Sequence, residues 1–337
     1  MSGRSRRGWR LLLRPGILLP LLLSAALLAF AFSISNLPQV IDRVGEISFT
    51  TIALGFGLAV AYLVLKCIEF NLLLTRLGIR LSWRRVIFAY AVAEMTIAIP
   101  AGVYVQNYIL GRMRSAGFAR SSAATTVGLI IELVVVLLML ALLGVPTWTW
   151  VRPTALAVLG GLVLFLGILL TTDILPGRLV PWLRRIGLES LPRALADMTK
   201  GLRQLATPRT VIPAMLLAAV YLSALAAAFM VIGRGTGAPR FSYTEAVTVY
   251  AFSLAVTLLM AGILTQLGVI EVAGLGAAMT FGYGPSAALA MMIGFRVVWL
   301  GSIWLASGPT AWLLRDVLHD TEPADGEQVD PAMRSSA

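Results

Sequence analysis

The sequence predicts an all-α polytopic membrane protein, with six transmembrane helices plus two re-entrant hairpins in an inverted repeat. The first observation is composition, because 58% of the 337 residues are hydrophobic and only 13% are charged, a balance that soluble domains of this length do not show. The second is that the arginines cluster in short segments between apolar stretches. The third is that two apolar segments, 86–110 and 244–283, are each interrupted near the middle. Interruptions at corresponding places of two halves are typical of transporters.

Six uninterrupted apolar stretches are predicted to cross the membrane, because each approaches the length of about 20 residues that a helical span needs. They are 17–35, 51–74, 122–144, 153–172, 211–232 and 285–305. The first follows a basic start, as a secretory signal does, but it is longer than an ordinary signal core, so we expect it to be retained. Between the halves, apolar residues spaced by four and three over 191–205 predict an amphipathic helix that lies among lipid headgroups or packs beneath the bundle.

The charge of the loops predicts the orientation of the chain. Five arginines precede residue 15 and place the N-terminus in the cytoplasm, since short loops rich in Lys and Arg stay inside. If 86–110 were an ordinary span, Arg112, Arg114 and Arg120 would lie outside, against this rule. A hairpin that enters and leaves from the cytoplasm removes the conflict. The second hairpin then enters from outside, and both termini are cytoplasmic.

The same patterns predict three parts of the chain. A cytoplasmic basic N-terminus covers 1–16, a single transmembrane domain covers 17–315, and a disordered acidic tail covers 316–337. The two halves of the domain are about 17–144 and 153–308. Polar, acidic composition without aromatic residues cannot bury enough apolar surface to order the tail.

An offset of 164 positions relates the two halves and singles out two pairs of polar residues. It aligns Asn107 with Glu271 and Glu132 with Arg296. Because a twofold axis in the membrane plane relates such halves, we expect Glu132 and Arg296 to form a buried ion pair near the midplane. This pair either fixes helix packing or handles anions or protons. Glu271 follows Gly268, which permits close backbone approach, so its carboxylate either caps a helix or binds a proton.

Charged and polar side chains at membrane depth are costly, so each needs an internal partner or a watery cavity. Those in and near the hairpins are predicted to line a substrate cavity, where half-helix N-termini and Arg296 hold a phosphate group. The predicted substrate-binding residues are Glu94, Pro100, Gly102, Gln106, Asn107, Glu132, Gln266, Gly268, Glu271 and Arg296. Lys66 and Glu69 lie near the end of their helix, where we expect both to reach the interface as structural anchors.

Several functions are excluded by residue content. Cys67 is the only cysteine and His319 the only histidine, so neither a disulfide framework nor the common Cys- and His-based motifs are expected. We predict no catalytic residue, no metal site and no cofactor. The net charge of +11 lies in short segments that suit anionic lipid headgroups better than a nucleic-acid partner.

Three motifs in each half carry a family resemblance. The first half contains Ile99-Pro100-Ala101-Gly102, Gly117-Phe118 and Glu132. The second contains Gly268-Val269-Ile270-Glu271, Phe281-Gly282 and Arg296. In these motifs, and over 17–308, the chain resembles the transmembrane region of lysylphosphatidylglycerol synthases and the flippase-like family of bacterial and archaeal proteins built from it. Two departures are Tyr104-Val105 in place of the family's first-half Gly-Glu, and Leu264-Thr265-Gln266 in place of its second-half Pro-Gly-Gly.

The resemblance implies a protein of the bacterial cytoplasmic (inner) membrane with membrane lipids as its partners. Because only a short tail follows Arg315, it implies lipid translocation without the synthesis step. The leading hypothesis is therefore the flipping of an anionic phospholipid or lipid-linked precursor through a cavity lined by the two hairpins. The alternatives are an integral-membrane transferase acting on a lipid-linked substrate, and a non-catalytic subunit of an envelope enzyme.

Overall fold

The computed structural model describes residues 15–97, 102–113, 117–143, 149–171, 190–260 and 266–318. Within these ranges the chain is helical and contains no strand, which confirms the predicted all-α class. The first half forms α1 (Pro15–Ser33), α2 (Leu37–Gly45), α3 (Phe49–Arg76), α4 (Trp83–Met95), α5 (Val105–Arg112) and α6 (Phe118–Leu143). The second half forms α7 (Val151–Thr171), α8 (Ser190–Leu205), α9 (Pro208–Gly235), α10 (Tyr243–Met260), α11 (Gln266–Thr280) and α12 (Pro285–Leu313). Short 3-10 turns at Gly102–Tyr104 and Arg315–Leu318 precede α5 and follow α12. Nearly all of the predicted N-terminal segment and tail lies outside the described residues.

Six of the described helices are long and apolar enough to cross a membrane, namely α3, α6, α7, α9, α10 and α12. Five of them coincide with predicted spans. The predicted span 17–35 corresponds to α1, which turns by 91° into α2 and counts as a seventh span only if the bent pair is taken as one. The sixth helix is α10, which the sequence assigned to the second hairpin. Its 18 residues extend about 27 Å, nearly the thickness of the hydrocarbon core.

The helices α3 and α9 each have 28 residues and end in the same way. Each is followed within two residues by a glycine in the left-handed region, Gly78 with φ 78° and Gly237 with φ 88°. In both turns the N–H of the next residue donates to the carbonyl five positions earlier. This closure satisfies carbonyl groups that the helix end leaves open. Both central helices therefore stop at a sharp turn set by a glycine.

The first predicted interruption is confirmed as a break between two helices, and the described residues on either side of the second also form two helices, with 261–265 outside the described residues. In the first, α4 ends at Met95 and α5 begins at Val105 after the 3-10 turn. A Cβ atom at Gly102 would overlap the carbonyl oxygen of Thr96, so a glycine is required where the chain turns back on itself. In the second, α10 ends at Met260 and α11 begins at Gln266. The arms pack against each other in both cases, α4 on α5 and α10 on α11.

Helix packing repeats between the halves with partners exchanged. The most extensive pair is α3 with α9, one helix from each half. In the second half α12 packs on α2 and α4 of the first, and in the first half α6 packs on α8 and α10 of the second. In the same way, α3 contacts α12 and α9 contacts α6. The two halves are therefore interleaved, and side chains from both meet around α3 and α9.

The amphipathic segment predicted between the halves is confirmed as α8. It packs against α6, with Leu202 and Leu205 buried. Gly201 lies so close that a Cβ atom there would come within 2.7 Å of the Ala123 side chain. Of the two predicted placements, the described part of α8 takes the packed one, in which the apolar face covers the bundle.

Candidate functional site

Two adjoining cavities lie inside the bundle and share four lining residues, Lys66, Ile97, Val103 and Leu129. The volume of each cavity is about 40 Å³. The first lies among α3, α4, α5 and α6, and the second extends between α6, α9, α10 and α12. The polar lining residues are Tyr62, Lys66, Glu69, Tyr90, Glu94, Gln106, Thr125, Glu132, Tyr250 and Trp299. We call this continuous space the central cavity.

Lys66 is the cation of the central cavity among the residues described there. Its Nζ lies 2.7 Å from Oε1 of Glu132 on α6 and donates to the hydroxyl of Tyr62 at 2.9 Å. The Lys66 side chain is 18% exposed and that of Glu132 is 5% exposed. The expectation that Lys66 reaches the interface as an anchor is wrong, because a buried carboxylate holds it toward the cavity.

A tyrosine from the other half joins this pair to a second carboxylate. The Tyr221 hydroxyl lies 2.9 Å from Oε2 of Glu69 and 3.0 Å from Oε1 of Glu132. Tyr221 is fully buried and packs edge-on against the ring of Tyr62, with centroids 5.4 Å apart. Glu69 is 2% exposed, so the expectation that it anchors the helix at the interface is also wrong. The polar chain ties α3, α6 and α9 together in the interior.

The first interrupted segment supplies the opposite wall. Glu94, near the end of α4, is buried and lines the cavity as predicted, and its Oε2 has no hydrogen-bond partner among the described residues. On α5, Gln106 Nε2 and Asn107 Nδ2 both donate to Thr125 Oγ1 at 2.8 Å. Gly102 lies at the break that positions α5, whereas Pro100 lies outside the described residues. A substrate-binding role for these residues stays a prediction.

The second interrupted segment holds a separate buried ion pair. Arg296 Nε of α12 donates to Glu271 Oε1 at 2.7 Å, while the N–H of Gly268 donates to Glu271 Oε2 at 2.6 Å. The guanidinium lies 5.0 Å from the centre of the Trp299 ring, a cation–π contact. Of the two roles considered for Glu271, the Gly268 contact corresponds to the helix cap, and a role in proton binding stays a prediction. Gln266 begins α11, but its side chain lies outside the described part of the chain.

The predicted pair of Glu132 with Arg296 is wrong. Glu132 pairs with Lys66, and Arg296 with Glu271. The offset of 164 places Glu132 on α6 and Arg296 on α12, but both helices pack against α3 and α9. Each charge pairs with a residue of another helix, Glu132 with α3 and Arg296 with α11. Equivalent positions in a repeat become neighbours only where they lie close to the symmetry axis.

Sequence reasoning missed Lys66, Glu69 and Tyr221 as parts of the site. The available signal was the presence of two charges three residues apart in α3, because residues at this spacing share one helix face. That face turns toward α9 and α6. For Tyr221 no signal existed, since a tyrosine in an apolar helix is ordinary core until its neighbours are known.

An apolar groove adjoins the central cavity. It lies among α3, α4 and α12 and has a volume of about 250 Å³. Its lining includes Leu63, Val64, Cys67, Ile87 and Ala306. Tyr90 on α4 lines both the groove and the central cavity. One side chain therefore faces both the cavity that holds the charged residues and the apolar groove.

The fold and the site define a polytopic helical membrane protein with a buried, charged cavity between two interleaved halves. The chain belongs to the family described as the lysylphosphatidylglycerol synthase TM region, whose model matches residues 17–306. This match confirms the resemblance drawn from the sequence motifs. No curated protein matches the chain.

Proposed function

We propose that this protein moves phospholipids or lipid-linked precursors between the leaflets of the membrane. The observation that carries the proposal is the meeting of the central cavity with the apolar groove at Tyr90. A lipid has the same two-part chemistry, a polar headgroup and an apolar chain. With the headgroup in the cavity and the chain in the groove, neither part enters an environment that costs it solvation. Membership of a lipid-related membrane family supports the same reading.

The charged residues that line the cavity limit which lipid headgroups it would bind. We assign the headgroup phosphate to Lys66, because both cations have a carboxylate partner but Lys66 lines the cavity and Arg296, the cation chosen from the sequence, does not. Glu94 brings an unpartnered carboxylate oxygen to the same space. A headgroup that carries an ammonium as well as a phosphate would form charge-assisted hydrogen bonds with both residues, the phosphate with Lys66 and the ammonium with Glu94. We therefore expect amine-bearing phospholipids to move faster than purely anionic ones.

We further propose that the interrupted segments are re-entrant hairpins of an inverted repeat. Both halves run through the same order of helices and exchange several contacts, although α1 packs on α11 whereas α7 packs on α6. In the first segment α4 has 13 residues and α5 has 8, or about 20 and 12 Å, so neither arm crosses the hydrocarbon core alone. The second segment differs because α10 has span length. Broken helices at membrane depth are tolerated where they line a cavity, and the first one does.

The proposed activity can be measured in liposomes that contain a trace of acyl-labelled fluorescent phospholipid. We expect the wild-type protein to expose inner-leaflet probe to an impermeant quencher faster than in protein-free liposomes, and faster for phosphatidylethanolamine than for phosphatidylglycerol. The double variant Lys66→Met with Glu132→Gln removes the cation together with the carboxylate that is directly paired with it. It should slow transport at least about tenfold, the equivalent of one charge-assisted hydrogen bond.

The control is the exposed ion pair Arg84–Asp316, whose charged atoms are also 2.7 Å apart. Its double variant Arg84→Gln with Asp316→Asn removes the same number of charges from residues that do not line the central cavity and should move lipid at the wild-type rate. Wild-type protein that leaves the probe distribution unchanged refutes lipid translocation. Equal rates in the two double variants would instead refute the assignment of Lys66 to the headgroup.

The proposed orientation has its own test. In a Cys67→Ser background, we introduce Gly117→Cys, at the start of α6, and Gly45→Cys, at the end of α2. Both glycines are exposed, with nothing within 4 Å of an added Cβ atom. An impermeant thiol reagent added to intact cells should label Gly45→Cys and should label Gly117→Cys only after lysis, because the first lies in the predicted outer loop and the second beside cytoplasmic arginines. The reverse pattern refutes the inward-facing hairpin.

A further inference from the structure

The hydrogen-bond geometry around Tyr221 requires more protons than its hydroxyl supplies. Its oxygen lies within hydrogen-bond distance of two carboxylates, at 2.9 Å from Glu69 and 3.0 Å from Glu132. A tyrosine hydroxyl carries one hydrogen and can donate to only one of them. The other short contact between two oxygens is stable only if it contains a hydrogen as well. That second hydrogen must belong to a carboxyl group.

The two carboxyl groups differ in what balances their charge. Oε1 of Glu132 lies 2.7 Å from the Lys66 ammonium, so the charge of Glu132 is compensated. Glu69 has no salt bridge among the described residues, and its Oε1 has no hydrogen-bond partner there. A buried carboxylate without a cation is the costly arrangement. We infer that Glu69 binds a proton and donates it to Tyr221, which donates its own hydrogen to Glu132.

The groups around Glu69 come from each helix that packs on α3. From α9 the contact is Tyr221, and from α6 it is Glu132. The facing groups of α4 and of α3 itself are Tyr90, Glu94 and Lys66, which line the same cavity. The buried charge described on α12 is Arg296, which pairs with Glu271. From α8, the Gln204 side-chain amide donates a hydrogen bond to the Arg76 carbonyl at the end of α3. The ammonium of Lys66 thus lies in the same cavity as the carboxyl groups of Glu69, Glu94 and Glu132, and among these three it is directly paired with Glu132.

This proton site opens to the central cavity, because Glu69 is one of its lining residues. A proton on Glu69 can therefore exchange with water or a substrate group in the cavity, without a path through the apolar bundle. Loss of the proton would bring a second negative charge next to Glu132 across Tyr221. The inference rests on the geometry of the site and goes beyond lipid transport, since it holds whatever the cavity carries.

Infrared spectroscopy of the full-length protein in liposomes tests the inference without a transport assay. At neutral pH we expect a carbonyl stretching band of a protonated carboxylic acid that is sensitive to exchange into D₂O. The Glu69→Gln variant should lose this component, and Glu94→Gln, which changes the other carboxyl of the same cavity wall, should retain it. A spectrum without a carboxylic-acid band, or a band lost in Glu94→Gln and kept in Glu69→Gln, overturns the proposal.

Two further measurements keep the test decisive if Glu69→Gln fails to fold. Tyr221→Phe removes the acceptor of the Glu69 proton, so the band should shift toward the position of a free acid; an unmoved band overturns the assignment. In the wild type, the melting temperature should fall as pH rises, because the folded protein holds a proton that the unfolded chain releases. Tyr221→Phe should keep this slope, and a wild-type melting temperature that does not fall as pH rises overturns the proposal.

Discussion

Replacement of Arg296 by Gln is expected to lower the free energy of unfolding by about 3–5 kcal/mol, because it leaves the carboxylate of Glu271 buried without its cation. Both side chains are almost inaccessible, at 8% and 2% exposure, and their charged atoms are 2.7 Å apart. Glu271→Gln should cost a similar amount, since it removes the carboxylate that is paired with the guanidinium and weakens the acceptor for the Gly268 N–H. The double variant should lose less than the sum of the two single losses, because no unpaired charge remains.

Thermal and denaturant unfolding of detergent-purified protein measures this cycle. A matched comparison is the exposed Arg84–Asp316 pair at the same distance, whose loss should cost no more than about 1 kcal/mol. The combination of Arg296→Gln with Glu132→Gln distinguishes the observed partner from the one expected from the repeat. Its effects should add, because Glu132 pairs with Lys66. Coupling between Glu132 and Arg296, with additive losses for Glu271 and Arg296, would contradict the geometry.

The helices could be predicted from the sequence because the thickness of the hydrocarbon core of the membrane sets their length. In a bilayer, a run of about 20 apolar residues satisfies its own backbone hydrogen bonds by forming a helix. The interruption before Gly102 was visible for a related reason, since Pro and Gly mark places where a helix cannot continue. The role of α10 was missed because polar and small residues after Met260 suggested that the whole segment was broken. The described helix instead runs uninterrupted to Met260.

The partners of the buried charges could not be read in the same way. Hydropathy shows how deep a residue lies, but it does not show which neighbouring helix the residue faces. Lys66 illustrates this limit, because its position near a helix end is compatible with the interface and with the interior. The choice is made by Glu132, 66 positions later in the chain and 2.7 Å away. A repeat offset identifies equivalent residues such as Glu132 and Arg296, and contact between them needs the packing of α3 and α9 as additional information.

The close backbone approach expected at Gly268 is confirmed. It predicts a second large effect of a substitution on the free energy of unfolding. Gly268 has φ +87°, a conformation that costs other residues about 1–2 kcal/mol. A Cβ atom there would lie 2.6 Å from the carbonyl oxygen of Ser24 on α1, and such overpacking adds about 1–3 kcal/mol. We therefore expect Gly268→Ala to lower the free energy of unfolding by about 2–5 kcal/mol. The shift would also pull the Gly268 N–H away from Glu271 and disturb its pair with Arg296.

Two other glycines of the same region distinguish the two costs in this prediction, that of the positive φ and that of the steric overlap. Gly282 has φ +85° but nothing within 4 Å of an added Cβ atom, so Gly282→Ala should show the conformational cost alone. Gly276 lies inside α11, also in open space and without the unusual φ, so Gly276→Ala should be neutral or stabilise by up to about 1 kcal/mol. The expected order of melting temperatures is Gly276→Ala highest, Gly282→Ala intermediate and Gly268→Ala lowest. Equal losses for Gly268→Ala and Gly282→Ala would mean that α11 can move away from α1 at no cost, and that the contact with Ser24 does not fix the beginning of the helix that holds Glu271.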